Sequence, residues 1–405
     1  MNNAALVRAA RAVLVGGVDS PVRALAPVPV RRGRGATIVD HDGRRYVDYV
    51  LSYGALLLGH ADPFVTRRVR EAARDGVSFG ATTAAEVACA RRILRAIPGA
   101  QKVRFLSSGT EAVMTALRLA RGVTQRRKII KFDHGYHGHA DAVLARMGAG
   151  DTSVPMSDGL MADCLKHTLV VRYGDLAALE HLFRWYAGDI AAVIVEPVGG
   201  NDGVVPPDTA FLMKLREQTQ RYGVLLVFDE VITGFRFRYG AAAQIVGVRP
   251  DLICLGKIIG GGLPVGAVTG SAFLMDHLAP VGGVYQASTF GGNPLVTAAG
   301  DAALRRIGEL RSRYGELSLK AAEVAGALLE EARGRGIGLD VARYASMFSV
   351  RFHEPGRFRS FHGHLLRAGV SFAPSEREAN FLSFAHTATD IDKTREAVKR
   401  AFRRL

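Results

Sequence analysis

Cysteine, tryptophan and lysine are scarce in this chain of 405 residues, which holds 3 cysteines and 1 tryptophan. Cys89, Cys164 and Cys254 are scattered without metal-ligand spacing. That excludes a disulfide scaffold and a zinc ribbon, and points to free thiols in a reducing, cytoplasmic setting. Lysine supplies only 9 of the 53 basic residues and arginine supplies the rest, against 38 acidic residues, for a formal net charge of +15. The charge is spread, with modest concentrations at Arg31-Arg32-Gly33-Arg34 and Arg357-Phe358-Arg359. No aromatic-interleaved basic stripe accompanies it, so no nucleic-acid partner is expected. No apolar run is long enough to span a membrane, and the stretch Met1 to Arg8 does not read as a secretory signal, so no membrane partner is expected. Internal repeats and low-complexity tracts are absent too. A hydrophobic share of 48% with 22% charged residues excludes wholesale disorder. The length exceeds what one core usually serves, so more than one domain is expected.

Short apolar runs alternate with helical stretches between about residues 100 and 270. The runs are Val103 to Leu106, Lys128 to Phe132, Ala191 to Val195, Val224 to Phe228 and Asp251 to Leu255. Near-continuous hydrophobic strands separated by helices predict an α/β fold with a mostly parallel sheet covered on both faces. Residues 36–50 predict a strand pair turning at Asp42-Gly43. After about residue 300 a long amphipathic helix, 318–335, precedes strand-like Ser346 to Phe352 and Asn380 to Phe384. A final helix is expected to start at a capping box, Thr389 to Asp392. The expected organisation is an N-terminal segment (1–50) packing with a C-terminal small α+β domain (301–405), around a large cofactor-binding domain (51–300).

Two residues stand out within this pattern. Val224 to Phe228 runs into Asp229, and Asp251 to Gly256 runs into Lys257, followed by a glycine-rich turn to Gly266. In an open α/β sheet, ligands bind outside the carboxyl ends of strands. An amine and a carboxylate there suit pyridoxal phosphate: the lysine forms a Schiff base, and the acid holds the ring nitrogen protonated. Many strands end in one polar residue, so the pair depends on further contacts. Ser107-Ser108-Gly109-Thr110 follows a strand and opens a helix, which suits a phosphate or an ordinary helix cap. Asp133 to His139 follows another strand and holds three histidines around Tyr136. A metal site is one reading of those histidines; a loop aromatic, Tyr136, covering a cofactor ring is the other. Asn201, beyond the strand that ends before Glu196, is placed to reach the ring hydroxyl.

Taken together, these motifs resemble fold-type I pyridoxal phosphate enzymes of the class III aminotransferase group, and within it the glutamate-1-semialdehyde 2,1-aminomutase family. The resemblance covers nearly the whole chain. It is carried by Ser108 to Ala112, Tyr136 to Asp141, Glu196 to Val198, Gly203 to Pro207, Phe228 to Arg236, Leu255 to Gly266 and Gly292 to Leu295. It implies Lys257 as the Schiff-base lysine, Asp229 as the ring-nitrogen partner and Ser108, Gly109 and Thr110 as phosphate ligands. It further implies Tyr136 stacked on the ring, Asn201 at the ring oxygen, and Thr289 reaching the phosphate of a partner subunit in a homodimer. Arg23 matches that family's substrate-carboxylate arginine and Glu378 its glutamate, with Tyr53 at the same site. The implied reaction converts glutamate 1-semialdehyde to 5-aminolevulinate, with the pyridoxamine form of the cofactor in the cycle.

Four positions depart from the family pattern. Tyr53 stands where the family has tryptophan, Ser107 and Asp19 each stand where it has asparagine, and Ala149 stands where its gating loop has serine. The loop from Ala149 to Leu160 is also about two residues short. A lid that retains the doubly aminated substrate separates a mutase from a transaminase. An aminotransferase moving an amine from a donor to a carbonyl acceptor therefore stands as the alternative, and a non-catalytic relative as a third reading that Lys257 and Asp229 argue against.

Overall fold

The computed structural model describes residues 1–25 and 28–405, and the chain divides into two units. One unit comprises Met1–Pro63, Gly200–Pro206 and Leu310–Leu405; the other comprises Phe64–Gly199 and Pro207–Glu309. The first opens with a helix, Asn3–Val13, whose N-terminus is capped by the Asn2 side chain. An antiparallel meander follows: β1 (Val30–Arg34), β2 (Thr37–Asp40) and β3 (Arg45–Asp48). The β2–β3 turn falls at Asp42-Gly43, with Gly43 in the left-handed region at φ 85°.

Directly after β3 the backbone does something the sequence does not announce. Leu51, Ser52 and Tyr53 all have positive φ (47°, 54° and 53°), and Gly54 continues at 88°. This is a left-handed turn made largely of non-glycine residues, each costing roughly 1–2 kcal/mol. Asp48 holds it: one carboxylate oxygen accepts from the Val50 amide and the other from the Leu51 amide and His60. The Phe381 ring lies close against Gly54, where a Cβ would come within 2.7 Å of it.

The second unit is built on one seven-stranded sheet. In chain order its region contains β4 (Lys102–Leu106), β5 (Lys128–Phe132), a separate short hairpin of β6 (Ala145–Met147) and β7 (Ser153–Pro155), then β8 (Thr168–Val171), β9 (Ile190–Val195), β10 (Leu225–Glu230), β11 (Leu252–Gly256) and β12 (Gly266–Gly270). Across the sheet the order is β4-β12-β11-β10-β9-β5-β8. Five strands, from β11 to β8, run parallel, and β12 is antiparallel to both its neighbours. The apolar runs are continuous because both faces are covered; every residue of β9 is buried. Two strands, β8 and β12, lie outside the expected set. The glycines that end β12 dilute its apolar signal, and β8 is short.

The remainder of the first unit adds β13 (Leu339–Tyr344), β14 (Met347–Phe352), β15 (Val370–Ser371) and β16 (Asn380–Phe381). β13, β14 and β16 form an antiparallel sheet, while β15 pairs parallel with β3. An aromatic cluster of Tyr49, Phe348, Phe361, Phe372 and Phe402 fills the core between these strands and the helices Arg357–Arg367 and Ala388–Phe402. The last helix starts two residues before its expected box. Two Thr-x-x-Asp frames overlap here, and the structure uses Thr387 with Asp390. The expected long helix spans Tyr314–Arg333.

Candidate active site

Asp229 is the penultimate residue of β10 and lies opposite Cys254 of β11; Lys257 follows β11 directly. Parallel pairing of the two strands thus brings the acid and the lysine to the same end of the sheet. Lys257 is half-buried and has φ 45°, a left-handed value that few non-glycine residues adopt. Such strain persists only where surrounding structure enforces it, and it concentrates at functional positions. The turn Lys257–Gly260 is buried apart from the lysine itself.

Asp229 is almost completely buried, and both of its oxygens are engaged. Oδ1 accepts from the Val231 amide at 3.1 Å, and Oδ2 lies 2.8 Å from His137 Nδ1. Burial, with the Asp229 charge across the sheet, pushes the Cys254 thiol well above its ordinary value, so it is inert. The adjacent Glu230 faces the other way. Its oxygens accept from the Ala242 and Ala243 amides and the Thr233 hydroxyl, and burial raises its carboxyl to about 7. Glu230 therefore holds the loop after β10 and leaves Asp229 as the carboxylate at the strand end.

Ser108 caps the helix Gly109–Thr124 in a full capping box, its hydroxyl accepting from the Glu111 amide while Glu111 accepts from the Ser107 and Ser108 amides. The amides of Gly109 and Thr110 have no acceptor within their own helix and are available to an anion, with the helix dipole behind them. Two glycines allow close packing here. A Cβ on Gly266 would overlap the Ser108 carbonyl, and a Cβ on Gly138, at φ 90°, would sit 2.5 Å from the Thr110 hydroxyl.

The three histidines of the 133–139 loop each have a different neighbour. His134 lies beside Asp133, His137 binds Asp229, and the His139 ring and amide both reach the Thr110 hydroxyl. Among the described residues no group of His, Cys, Asp or Glu could hold a metal ion. The loop is fixed by the Tyr136 amide donating to Glu196 at 3.2 Å, and Tyr136 itself is exposed. His137 is the residue that sequence reasoning missed. Its only signal was its position next to the aromatic Tyr136. Thr289 is exposed, on a segment whose Ser288 hydroxyl lies 3.3 Å from that of Ser107.

The remaining predicted residues lie in the first unit. Arg23 is exposed in a short 3₁₀ turn, Pro21–Ala24, and Tyr53 stands on the left-handed turn. Arg23 and Tyr53 line one cavity of about 720 Å³, together with His60, His362 and Ser371. Tyr53 also senses Glu378: burial first, and then that carboxylate, raise its phenol, while Arg23 works in the opposite direction. Arg23, Tyr53 and Glu378 therefore share one electrostatic neighbourhood. Asn201 is in the same unit, on a segment held by the Gly203 amide donating to the Arg377 carbonyl and the Val204 amide to the Ser349 hydroxyl.

A lysine and a doubly held carboxylate at adjacent strand ends, beside a helix start open to an anion, define the transaminase class of α/β enzyme. Residues 19–401 match the class-III aminotransferase family. The chain is 48% identical to a glutamate-1-semialdehyde 2,1-aminomutase of Pelotomaculum thermopropionicum, over 98% of this chain and 96% of that one. Among solved structures it is similar to an omega-transaminase from Sphaerobacter thermophilus (TM-score 0.90, 34% identity, 99% of this chain and 97% of that one). It is also similar to a glutamate-1-semialdehyde-aminomutase from Pseudomonas aeruginosa PAO1 in complex with PMP (TM-score 0.87, 26% identity, 98% and 93% covered). The chain belongs to the class-III aminotransferase family and, within it, to the glutamate-1-semialdehyde 2,1-aminomutases.

Proposed function

We propose that the protein uses pyridoxal 5'-phosphate, and its pyridoxamine form, to convert glutamate 1-semialdehyde to 5-aminolevulinate by intramolecular amino exchange, a step toward tetrapyrroles. The observation that carries this is Asp229, buried and accepting on both oxygens, one strand away from the strained Lys257. The residues fit the cofactor: a held carboxylate for a ring nitrogen, free helix amides for a phosphate, a lysine for the aldehyde. When bound, the cofactor supplies a carbonyl that condenses with amines and a ring that withdraws electrons.

The chain's own groups do the rest. The Lys257 amine anchors the aldehyde and moves protons at the reacting carbon. Asp229 keeps a charge at the ring nitrogen. Ser108, Gly109 and Thr110 orient the phosphate, Tyr136 covers a ring face, and Asn201 supports the ring oxygen. Arg23 receives the substrate carboxylate as a two-pronged donor, with Tyr53 and Glu378 setting the rest of that pocket. Thr289 completes the phosphate site of a second copy, which makes the working enzyme a homodimer. The free thiols suit the cytoplasm.

Because the reaction is an isomerisation, it needs one substrate and no amine donor. A second reading, a transaminase acting between two substrates, draws support from the omega-transaminase similarity and from Ala149 in the loop after β6. The test is purified protein incubated with glutamate 1-semialdehyde alone. Formation of 5-aminolevulinate over many turnovers supports the mutase. Turnover that appears only with an added amine donor, and releases its keto form, establishes the transaminase.

A further inference from the structure

We propose that Asp48 and His60 are positioning residues that hold the left-handed turn Leu51–Gly54 and thereby seat Tyr53 in the pocket it shares with Arg23. The proposal rests on the reading of that pocket as the substrate-carboxylate site. Asp48 ends β3, and the side chains of Asp48 and His60 are 5% and 19% exposed. Asp48 Oδ1 accepts from the Val50 amide at 2.9 Å. Oδ2 accepts from the Leu51 amide at 3.2 Å and lies 2.7 Å from His60 Nε2. A carboxylate that already meets two amides is the acceptor, so Nε2 carries the proton and donates. One side chain thus ties the start of the turn to a residue beyond its end.

His60 is itself gripped from behind. It exchanges two backbone hydrogen bonds with Gly35, at 2.8 and 2.7 Å. Its ring lies over Gly33, where a Cβ would come within 2.7 Å of the ring carbon Cγ. Gly33 is not among the glycines with positive φ, so what it supplies is space and not conformation. The support therefore runs from the bend between β1 and β2, through the imidazole and the carboxylate, to the turn.

Tyr53 is where that support is felt. Three consecutive non-glycine residues at positive φ persist only where their surroundings over-determine them, and such strain gathers at functional positions. Rotation of Ser52 and Tyr53 to ordinary negative φ re-aims both side chains. Tyr53 now stands within electrostatic reach of the groups that sort a substrate. Burial raises its phenol most, Glu378 next, Arg23 opposes them, and Asp48 adds a smaller push upward. With the clamp intact, the Tyr53 ring is a fixed wall beside the Arg23 guanidinium; with it released, a carboxylate loses that wall and binds less tightly.

The test is a double-mutant cycle on the holoenzyme. His60→Leu removes the donor, His60→Gln returns an N–H where Nε2 stands, and Gly33→Ala displaces the ring without touching it chemically. Each is made in the natural chain and in a Tyr53→Ala background. The readouts are KM and kcat for glutamate 1-semialdehyde, and the Kd of glutarate, a dicarboxylate with neither amine nor aldehyde. In His60→Leu and Gly33→Ala, KM and the glutarate Kd should rise roughly 10- to 100-fold, as when a hydrogen bond to a charged group is removed. kcat and pyridoxal phosphate uptake should stay near their natural values, and His60→Gln should behave like the natural chain. In the Tyr53→Ala background the same changes should cost less than about twofold, because the residue they act through is gone. Equal cost in both backgrounds overturns the proposal, since the pair would then support the fold and not Tyr53. An unchanged KM and Kd in His60→Leu overturns it as well. If His60→Leu does not fold, Gly33→Ala in the two backgrounds decides the matter. Natural protein that binds glutarate but does not turn over glutamate 1-semialdehyde alone overturns the mutase reading, and the glutarate cycle still decides this proposal. Natural protein that binds neither overturns the carboxylate pocket, and this proposal with it.

Discussion

Arg23, Tyr53 and Glu378 bring a guanidinium, a phenol and a carboxylate into one neighbourhood, and as the proposed carboxylate site it would sort substrates by charge. Replacing Arg23 with alanine should lower kcat/KM for glutamate 1-semialdehyde roughly 30- to 5,000-fold, the range for truncating one partner of a desolvated charge pair. An amine without a carboxylate should react almost as before. An unchanged kcat/KM for glutamate 1-semialdehyde would remove Arg23 from carboxylate binding. Some of this was legible in the sequence. Asp229 and Lys257 could be found because a polar residue closing an apolar strand has one exit, the sheet's carboxyl edge. His137 could not, because no periodicity tells a loop histidine to turn toward a carboxylate 92 residues away. Tyr53 was legible as a residue but not as a conformation. Leu-Ser-Tyr carries no left-handed signature; Asp48 holds the turn from a position the local sequence does not mark, with Phe381 beside Gly54.

The hairpin of β6 and β7 is the element on which mutase and transaminase readings diverge. Ala149 lies in its tip, where the Thr152 amide and hydroxyl both donate to the Ala149 carbonyl. Asp151 ties that tip to the helix Leu176–Tyr186, accepting from Tyr186 and pairing with His181. This stretch reads as a loop in the sequence because strands of three residues are too short to show alternation. The hairpin's root is held by Lys131 of β5, fully buried, whose ammonium donates to the Ala145 carbonyl at 3.0 Å. Burial lowers the Lys131 pKa from 10.5 to about 8. The sign follows from the folded state preferring the neutral amine. Relative to a variant without the group, stability contributed by Lys131 is present above pH 10.5 and is lost as pH falls through about 8. Urea denaturation should show Lys131→Met at least as stable at pH 7. The natural protein should then gain on it by about 3 kcal/mol between pH 7 and 11. A difference between the two that does not change with pH would show that the lysine keeps its ordinary pKa.

At the scale of the whole molecule, the exposed apolar side chains of the second unit need an explanation. Val281, Tyr285 and Phe290 are 72%, 70% and 61% exposed, on the segment that carries Thr289. The homodimer proposed above would cover them and would also bring Thr289 to a phosphate. Sedimentation and cofactor retention should therefore fall together on dilution. A monomer that keeps its full complement of pyridoxal phosphate would refute the shared site.

The parallel pairing of β3 with β15 joins Val47 to Val370, and Tyr49 meets Thr394 across 345 residues. During synthesis, the first sixty residues emerge long before the partners that complete their sheet and cover their aromatic core. They must wait, unfinished, while the seven-stranded sheet of the other unit has all its strands in hand by Gly270. Contacts this distant in sequence close late and slowly. The chain's earliest segment is thus among its last to fold, and a nascent chain halted near residue 310 would display the meander β1–β2–β3 with a raw edge, open to capture by chaperones or by another copy.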